Sequence, residues 1–154
     1  MIAVVQRVRH ASVEVDGAIV SKIGEGLLVL LGIAIEDSEK QVAYLSDKIA
    51  KLRIFADEEG KMNKSVLDLN LEILVVSQFT LLADCSQGNR PSYIRAARPE
   101  TAIPLYESFC NTLENRLQKE IGRGIFAADM KVNLLNDGPV TIVLDTEKMM
   151  KAKS

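Results

Sequence analysis

The sequence predicts a single α+β domain, with a largely antiparallel β-sheet or barrel-like core carrying two main helices. Three observations lead there. Short β-branched and aliphatic runs separated by turn residues recur along the chain, whereas only two segments space their apolar residues by three and four as an amphipathic helix does. Strand runs interrupted by single helices are the pattern of an α+β domain and not of a doubly wound nucleotide fold. Finally, 154 residues without an internal repeat or low-complexity linker fit one core, which buries roughly two-thirds of the unfolded surface.

In chain order, Ile2 to Val8, Ser12 to Val15 and Ala18 to Ile23 are β-prone, with Asp16-Gly17 as the tight turn between the second and third. Gly24-Glu25-Gly26 turns the chain into Leu27 to Ile33. That apolar stretch extends to Ile35, is interrupted by Gly32, and falls short of the ~20 residues of a membrane-spanning helix, so it reads as a buried strand. Asp37-Ser38 supplies an N-cap, and Val42, Leu45, Ile49 and Leu52 form the stripe of the first helix. After the turn Asp57-Glu58-Glu59-Gly60, residues 61–68 look irregular and Leu71 to Val76 is another buried strand.

A polar loop spans Asp84 to Pro99, longer than most connections in compact domains. The second helix starts near Pro99-Glu100, carries Tyr106, Phe109, Cys110, Leu113 and Leu117 on one stripe, and ends before Gly122. Met130 to Leu135 and Val140 to Asp145 then read as a hairpin around Asn136-Asp137-Gly138-Pro139. The domain is expected to span 1–146, with a polar C-terminal tail over 147–154.

The bulk chemistry excludes several functions. A net charge of −2 lacks the basic face that indiscriminate nucleic-acid binding needs, so any RNA contact is local. Candidates are Arg90, Arg95 and Arg98 in the long loop, Arg7 and Arg9 beside His10, and Lys148, Lys151 and Lys153 in the tail; each group reads by default as solvated surface. A single histidine, His10, and two distant cysteines, Cys85 and Cys110, do not make a common zinc site, so no metal or cofactor is expected. Two cysteines and no signal-peptide pattern point to a reducing, cytoplasmic setting, and no membrane association is expected. There is no GxGxxG, Walker loop or GxSxG. Cys110 reads as core, and His10 and Cys85 as structural or surface residues.

Two segments place polar or constrained residues where strands end. In Ser77-Gln78-Phe79-Thr80 three polar side chains follow a strongly apolar strand and need hydrogen-bond partners if buried. In Asn136 to Thr141, Gly138-Pro139 admits a cis bond that would present carbonyls with no Cβ in front of them. Taken alone, the first is as readily a set of satisfied structural polars and the second a plain turn.

Together they carry a resemblance. Gln6-Arg7-Val8, Gly26 to Gly32, Arg53-Ile54-Phe55, Gly60 to Asn63, Ser77 to Leu81, Arg90-Pro91-Ser92, Phe126 to Met130 and Asn136 to Thr141 resemble, in order, the D-aminoacyl-tRNA deacylase (D-tyrosyl-tRNA deacylase) family over nearly the whole chain. The resemblance implies a metal-free homodimer that hydrolyses the ester between a D-amino acid and the 3′ terminal adenosine of tRNA. It implies catalytic roles for Ser77, Gln78, Phe79 and Thr80, and chiral selection by Gly138 and Pro139 reaching from the partner subunit. Arg7, Met130 and Asn136 have supporting roles, with Arg7 holding the proline segment. Clearance of glycine mischarged on tRNA(Ala) is a further expectation. Two departures, Arg123 where many relatives have Thr and Ala127 where many have Gly, bear on substrate breadth.

An activated ester does not demand a triad. The expected mechanism has the Phe79 and Thr80 backbone N–H groups stabilise the oxyanion, one such donor contributing about 3 to 4 kcal/mol. The ribose hydroxyl of the substrate would assist water; Thr80 as a covalent nucleophile is the alternative, weakened by the lack of an evident activating base. Other classes are a binding module without turnover and an editing domain detached from an aminoacyl-tRNA synthetase.

Overall fold

The computed structural model describes residues 1–151. A long strand β1 (Ile2–Val15) organises the sheet. It pairs antiparallel with β2 (Ala18–Ile23) through its second half and with β3 (Gly26–Gly32) through its first half. Along its other edge lies β8 (Lys131–Asp145), also antiparallel.

The remaining elements in chain order are α1 (Glu39–Lys51), the minor hairpin β4 (Phe55–Ala56) and β5 (Met62–Lys64), β6 (Glu72–Ser77), α2 (Pro99–Leu117), β7 (Gly122–Arg123) and α3 (Thr146–Lys151). β6 runs parallel to β3, with α1 and the minor hairpin in the crossover, and β7 runs parallel to β6. The sheet is therefore mixed where the continuous apolar runs of β3 and β6 meet, as expected of strands buried on both faces. It curls until β7 meets β2, where the Arg123 N–H donates to Ser21 Oγ at 3.2 Å, giving the barrel-like core.

Alternation along the strands divides the apolar side chains between two cores. Leu27, Val29 and Leu31 of β3, with Ile73 and Val75 of β6, face α1 and α2, where Leu45, Ile49, Phe109 and Leu113 are buried. Leu28, Leu74 and Val76 point inside the curl with Val8, Ala11 and Val13 of β1. Val8 and Val13 share that side despite their odd spacing because the β1–β8 register shifts between Val8 and His10, inverting the alternation. That irregularity lets Ile2 to Val15 run as one strand where two had been expected.

α1 starts at Ser38, whose side chain accepts from the Lys40 N–H, while the Gln41 side chain accepts from the Ser38 N–H in a capping box. α2 follows its predicted stripe, and Cys110 is buried in the core. His10 and Cys85 are exposed. The polar segment from 147 begins within α3, and Met149 packs on the main core. Lys153, the last of the tail lysines, lies outside the described residues.

The terminal hairpin predicted around Asn136 to Pro139 is absent. Met1-proximal Ile2 to Gln6 pair with Asp145 to Thr141, and His10 to Glu14 pair with Leu135 to Lys131, so both arms lie on the same strand and the chain does not reverse. Residues 137–140 are instead extruded between Val8 and Gln6 as a wide bulge. Bulges and hairpins use the same turn residues, and only the shared partner strand distinguishes them.

Candidate active site

β6 ends at Ser77, beyond the carboxyl ends of the parallel strands, where a crevice forms in sheets of this type. The Gln78 N–H donates to Leu31 O at 2.7 Å, the last tie to β3. The chain then turns into a single 3-10 turn, Phe79–Leu82, with Leu81 N–H bonded to Gln78 O and Ala83 N–H to Thr80 O, both at 3.1 Å. Gly32 lies under this turn. A Cβ there would stand 3.0 Å from Gln78 O and 2.7 Å from Leu82 Cδ2, so only glycine lets the two segments approach. As the first donors of a turn, the Phe79 and Thr80 N–H groups have no partner among the described residues.

Above the turn is a cavity of about 500 Å³. Its lining includes Ser77, Gln78 and Phe79, then Phe126 and Met130, and the solvent-exposed Tyr93 and Arg98. Thr80 is not in the lining; its hydroxyl accepts a hydrogen bond from the Gln78 amide nitrogen. His10 is elsewhere, on β1 opposite Leu135. Among the described residues no three His, Cys, Asp or Glu side chains cluster as metal ligands.

Gly138 and Pro139, joined by a cis bond, are exposed in the β8 bulge and do not line this cavity. Arg7 fixes the bulge: Nε donates to Asp137 O at 3.1 Å and Nη1 to Ile54 O at 2.7 Å, tying β8 to the segment after α1. Gly138 has φ +123°, and a Cβ on it would meet Arg7 Nη2 at 2.7 Å. Asn136 is exposed and pairs with Val8. The structure thus brings Ser77, Gln78, Phe79 and Met130 together around one cavity, places Thr80 behind Gln78, and sets Arg7, Asn136, Gly138 and Pro139 apart on the β8 side.

The family model described as D-Tyr-tRNA(Tyr) deacylase matches residues 4–145. The chain belongs to the D-Tyr-tRNA(Tyr) deacylase family. Relatives named D-aminoacyl-tRNA deacylase include those of Porphyromonas gingivalis, 58% identical over 95% of this chain and 97% of the relative, and Cytophaga hutchinsonii, 59% identical over 96% and 98%. The solved structure of a protein named c-Myc DNA Unwinding Element Binding Protein is 48% identical, with TM-score 0.87 over 94% of this chain and 98% of that one. A probable eukaryotic D-amino acid tRNA deacylase shares the fold, with TM-score 0.82 at 15% identity over 94% and 98%.

In this D-Tyr-tRNA(Tyr) deacylase family member, Arg123 and Ala127, the two residues expected to bear on substrate breadth, are placed differently. Arg123 is outside the cavity: its guanidinium contacts Asn111 Oδ1 at 2.8 Å and Glu114 Oε1 at 2.5 Å, fastening β7 to α2. Ala127 does line the cavity, with φ +66°, a left-handed conformation that glycine adopts freely.

Sequence reasoning alone missed the aromatic rim. Phe79 is 55% exposed and meets Tyr93 edge-on at 5.1 Å between ring centroids. Tyr93 sits in the long polar loop, and that loop's length was the one sign of it. Below the rim, the Tyr106 hydroxyl donates to Val75 O at 3.1 Å, and the Tyr106 ring packs against Phe126 at 5.9 Å. Burial pushes the Tyr106 phenol well above its ordinary range and the neighbouring Cys110 thiol up to about 12, so both are neutral structural groups.

Proposed function

We propose that the protein hydrolyses the ester of D-aminoacyl-tRNA, releasing free D-amino acid and tRNA, and rejects L-aminoacyl-tRNA through Gly138 and Pro139 of the partner subunit in a homodimer. The observation that carries this reading is the pairing of a cavity lined by Ser77, Gln78 and Phe79 with two N–H groups, at Phe79 and Thr80, that have no partner among the described residues. Two donors held in that turn suit an oxyanion, and each such donor contributes about 3 to 4 kcal/mol at the transition state.

Among the described residues no base is bonded to Thr80, and its hydroxyl already accepts from the Gln78 amide. This supports water as the attacking group, assisted by the free hydroxyl of the terminal ribose, with Thr80 held in the positioning network. Water adds to the ester carbonyl, the tetrahedral oxyanion rests on the backbone donors, and collapse expels the ribose oxygen, which takes up the proton.

The homodimer has its own support. Among the described residues the far edge of β8 has no neighbouring strand, although this is one of the two longest strands, and its Leu135 and Val143 are 51% and 67% exposed. Edges of that length are normally protected, and a second copy would cover this one. Pairing there brings the exposed Gly138-Pro139 bulge toward a neighbour, where rigid carbonyls would occupy the space that an L side chain needs. A thousandfold preference requires about 4 kcal/mol, within reach of steric exclusion by fixed backbone. Achiral glycine would pass, giving clearance of glycine mischarged on tRNA(Ala), and the substrate places the work in the cytoplasm.

The experiment is release of D-tyrosine against L-tyrosine from charged tRNA, with and without a chelator. Fast D release and negligible L release, unchanged by the chelator, are expected; equal rates, or loss on chelation, would overturn the reading. The name of the 48% identical structure favours a second one, a DNA-binding module without turnover. A net charge of −2 opposes it. Tight duplex DNA binding with no release of D-tyrosine would decide for that alternative.

A further inference from the structure

We propose that Arg98 is a positioning residue that grips the phosphate joining the 3′ terminal nucleotide to the rest of the tRNA. The inference rests on the aminoacyl-tRNA reading above and adds a residue to it. Two charged side chains line the cavity, Arg98 and Asp129. Asp129 is compensated by Lys131, whose Nζ stands 3.0 Å away. Arg98 is exposed and forms no ion pair or hydrogen bond through its side chain among the described residues.

Nor does the side chain serve the fold. Arg98 occupies the N-cap of α2, where Ser, Thr, Asp or Asn is usual, and makes no side-chain cap bond. Other basic residues of the long loop and the tail are placed differently. Arg95 pairs with Glu147 at 3.4 Å, Lys151 bonds the same carboxylate at 3.2 Å, and neither these nor Arg90 lines the cavity.

The chemistry follows from the size of the cavity. About 500 Å³ suits an aminoacyl nucleoside and not a longer stretch of RNA, so the polymer must leave at the lip. The first anion it meets there is the phosphate on the terminal nucleotide, present in every tRNA. A guanidinium fork matches two phosphate oxygens, and the Phe79–Tyr93 pair offers ring surface beside it for an unstacked nucleotide. Because the whole chain is slightly acidic, long-range attraction is weak and one local contact carries more of the recognition.

The test uses full-length wild type, Arg98→Gln and Arg98→Lys on two substrates: D-tyrosyl-tRNA, and 3′-D-tyrosyl-adenosine, which has no phosphate. On tRNA, Arg98→Gln should raise KM roughly fivefold at low salt with kcat unchanged. The slope of log kcat/KM against log salt should fall by about 0.7, the increment of one phosphate contact on a single strand. Arg98→Lys should restore part of both effects. On the adenosine ester the three proteins should match. An unchanged salt slope on tRNA, or an equal loss on both substrates, would overturn the assignment while leaving the deacylase reading intact. Wild type inactive on both substrates would overturn both.

Discussion

Arg7 donates through Nε to the main-chain carbonyl of Asp137 at 3.1 Å, so a residue near the middle of β1 sets the bulge that displays Gly138 and Pro139. Its Nη1 bond to Ile54 O anchors the guanidinium from a third segment. Arg7→Ala should therefore cost about 1 to 3 kcal/mol of stability, the worth of a hydrogen bond from a charged donor. Discrimination between D and L substrates should suffer more than the fold does. Thermal unfolding alongside the D/L rate ratio checks this, and a variant as selective as wild type would remove Arg7 from the selective machinery.

Thr80 accepts from the Gln78 amide and, among the described residues, is bonded to no histidine, lysine or carboxylate. If water attacks with help from the substrate's ribose, Thr80→Ala should keep about a tenth or more of wild-type kcat, since only a positioning contact is lost. A fall to the uncatalysed rate, or a trapped acyl-enzyme on Thr80, would reinstate the hydroxyl as nucleophile.

Ala127 stands in the cavity wall at φ +66°. A left-handed conformation costs an L residue with a Cβ about 1 kcal/mol relative to glycine. Ala127→Gly should raise the melting temperature by about 3 °C in a domain of this size. A lowered melting temperature would mean that the methyl packs better than its backbone suggests.

Burial holds the Cys110 thiol protonated up to about 12, against an ordinary value of 9.0. The unfolded chain loses that proton first, so above pH 9 the folded state binds more protons and stability declines with rising pH. Denaturant unfolding from pH 8 to 11 should show the decline, with a shallower slope in Cys110→Ala; Tyr106, shifted the same way by burial, keeps part of it. Thiol reagents at pH 8 should label exposed Cys85 and spare Cys110 in the native protein. Equal labelling would contradict the packed core.

Much of this architecture was legible from local pattern. The stripes of α1 and α2 and the continuous runs of β3 and β6 are properties of a few consecutive residues, and the structure keeps them. Short elements such as β5 (Met62–Lys64) and α3 (Thr146–Lys151) carry too little periodicity to be read locally, and two larger misreadings share a cause. Arg9-His10 looked like a strand break, and Asn136 to Pro139 like a reversal, because the residues that permit a bulge also permit a turn. Which one forms depends on the partner strand, and β1 and β8 settle each other's course across more than a hundred residues of sequence.

At the site, Ser77 to Phe79 stood out because polar groups follow a buried strand, and Met130 through the resemblance. Arg98 was legible only as one of several basic residues that read by default as solvated surface, and Tyr93 not at all, since residues of a polar loop look alike until the loop lines the cavity. Gly138 was recognisable, but its separation from the cavity of its own chain becomes visible only in three dimensions.

That separation makes the central claim testable: each site is completed by the neighbouring subunit. Gln78→Ala should be nearly inactive on D-tyrosyl-tRNA, whereas Gly138→Ala, which drives a Cβ against Arg7 Nη2 at 2.7 Å, should keep D activity and hydrolyse the L ester as well. Unfolded and refolded together at equal amounts, the two should form mixed dimers whose one working site pairs an intact Gln78 with an intact Gly138, so the isolated mixed dimers should again reject the L ester. Mixed dimers, confirmed by mass, that hydrolyse the L ester as fast as the Gly138→Ala homodimer would contradict a shared site.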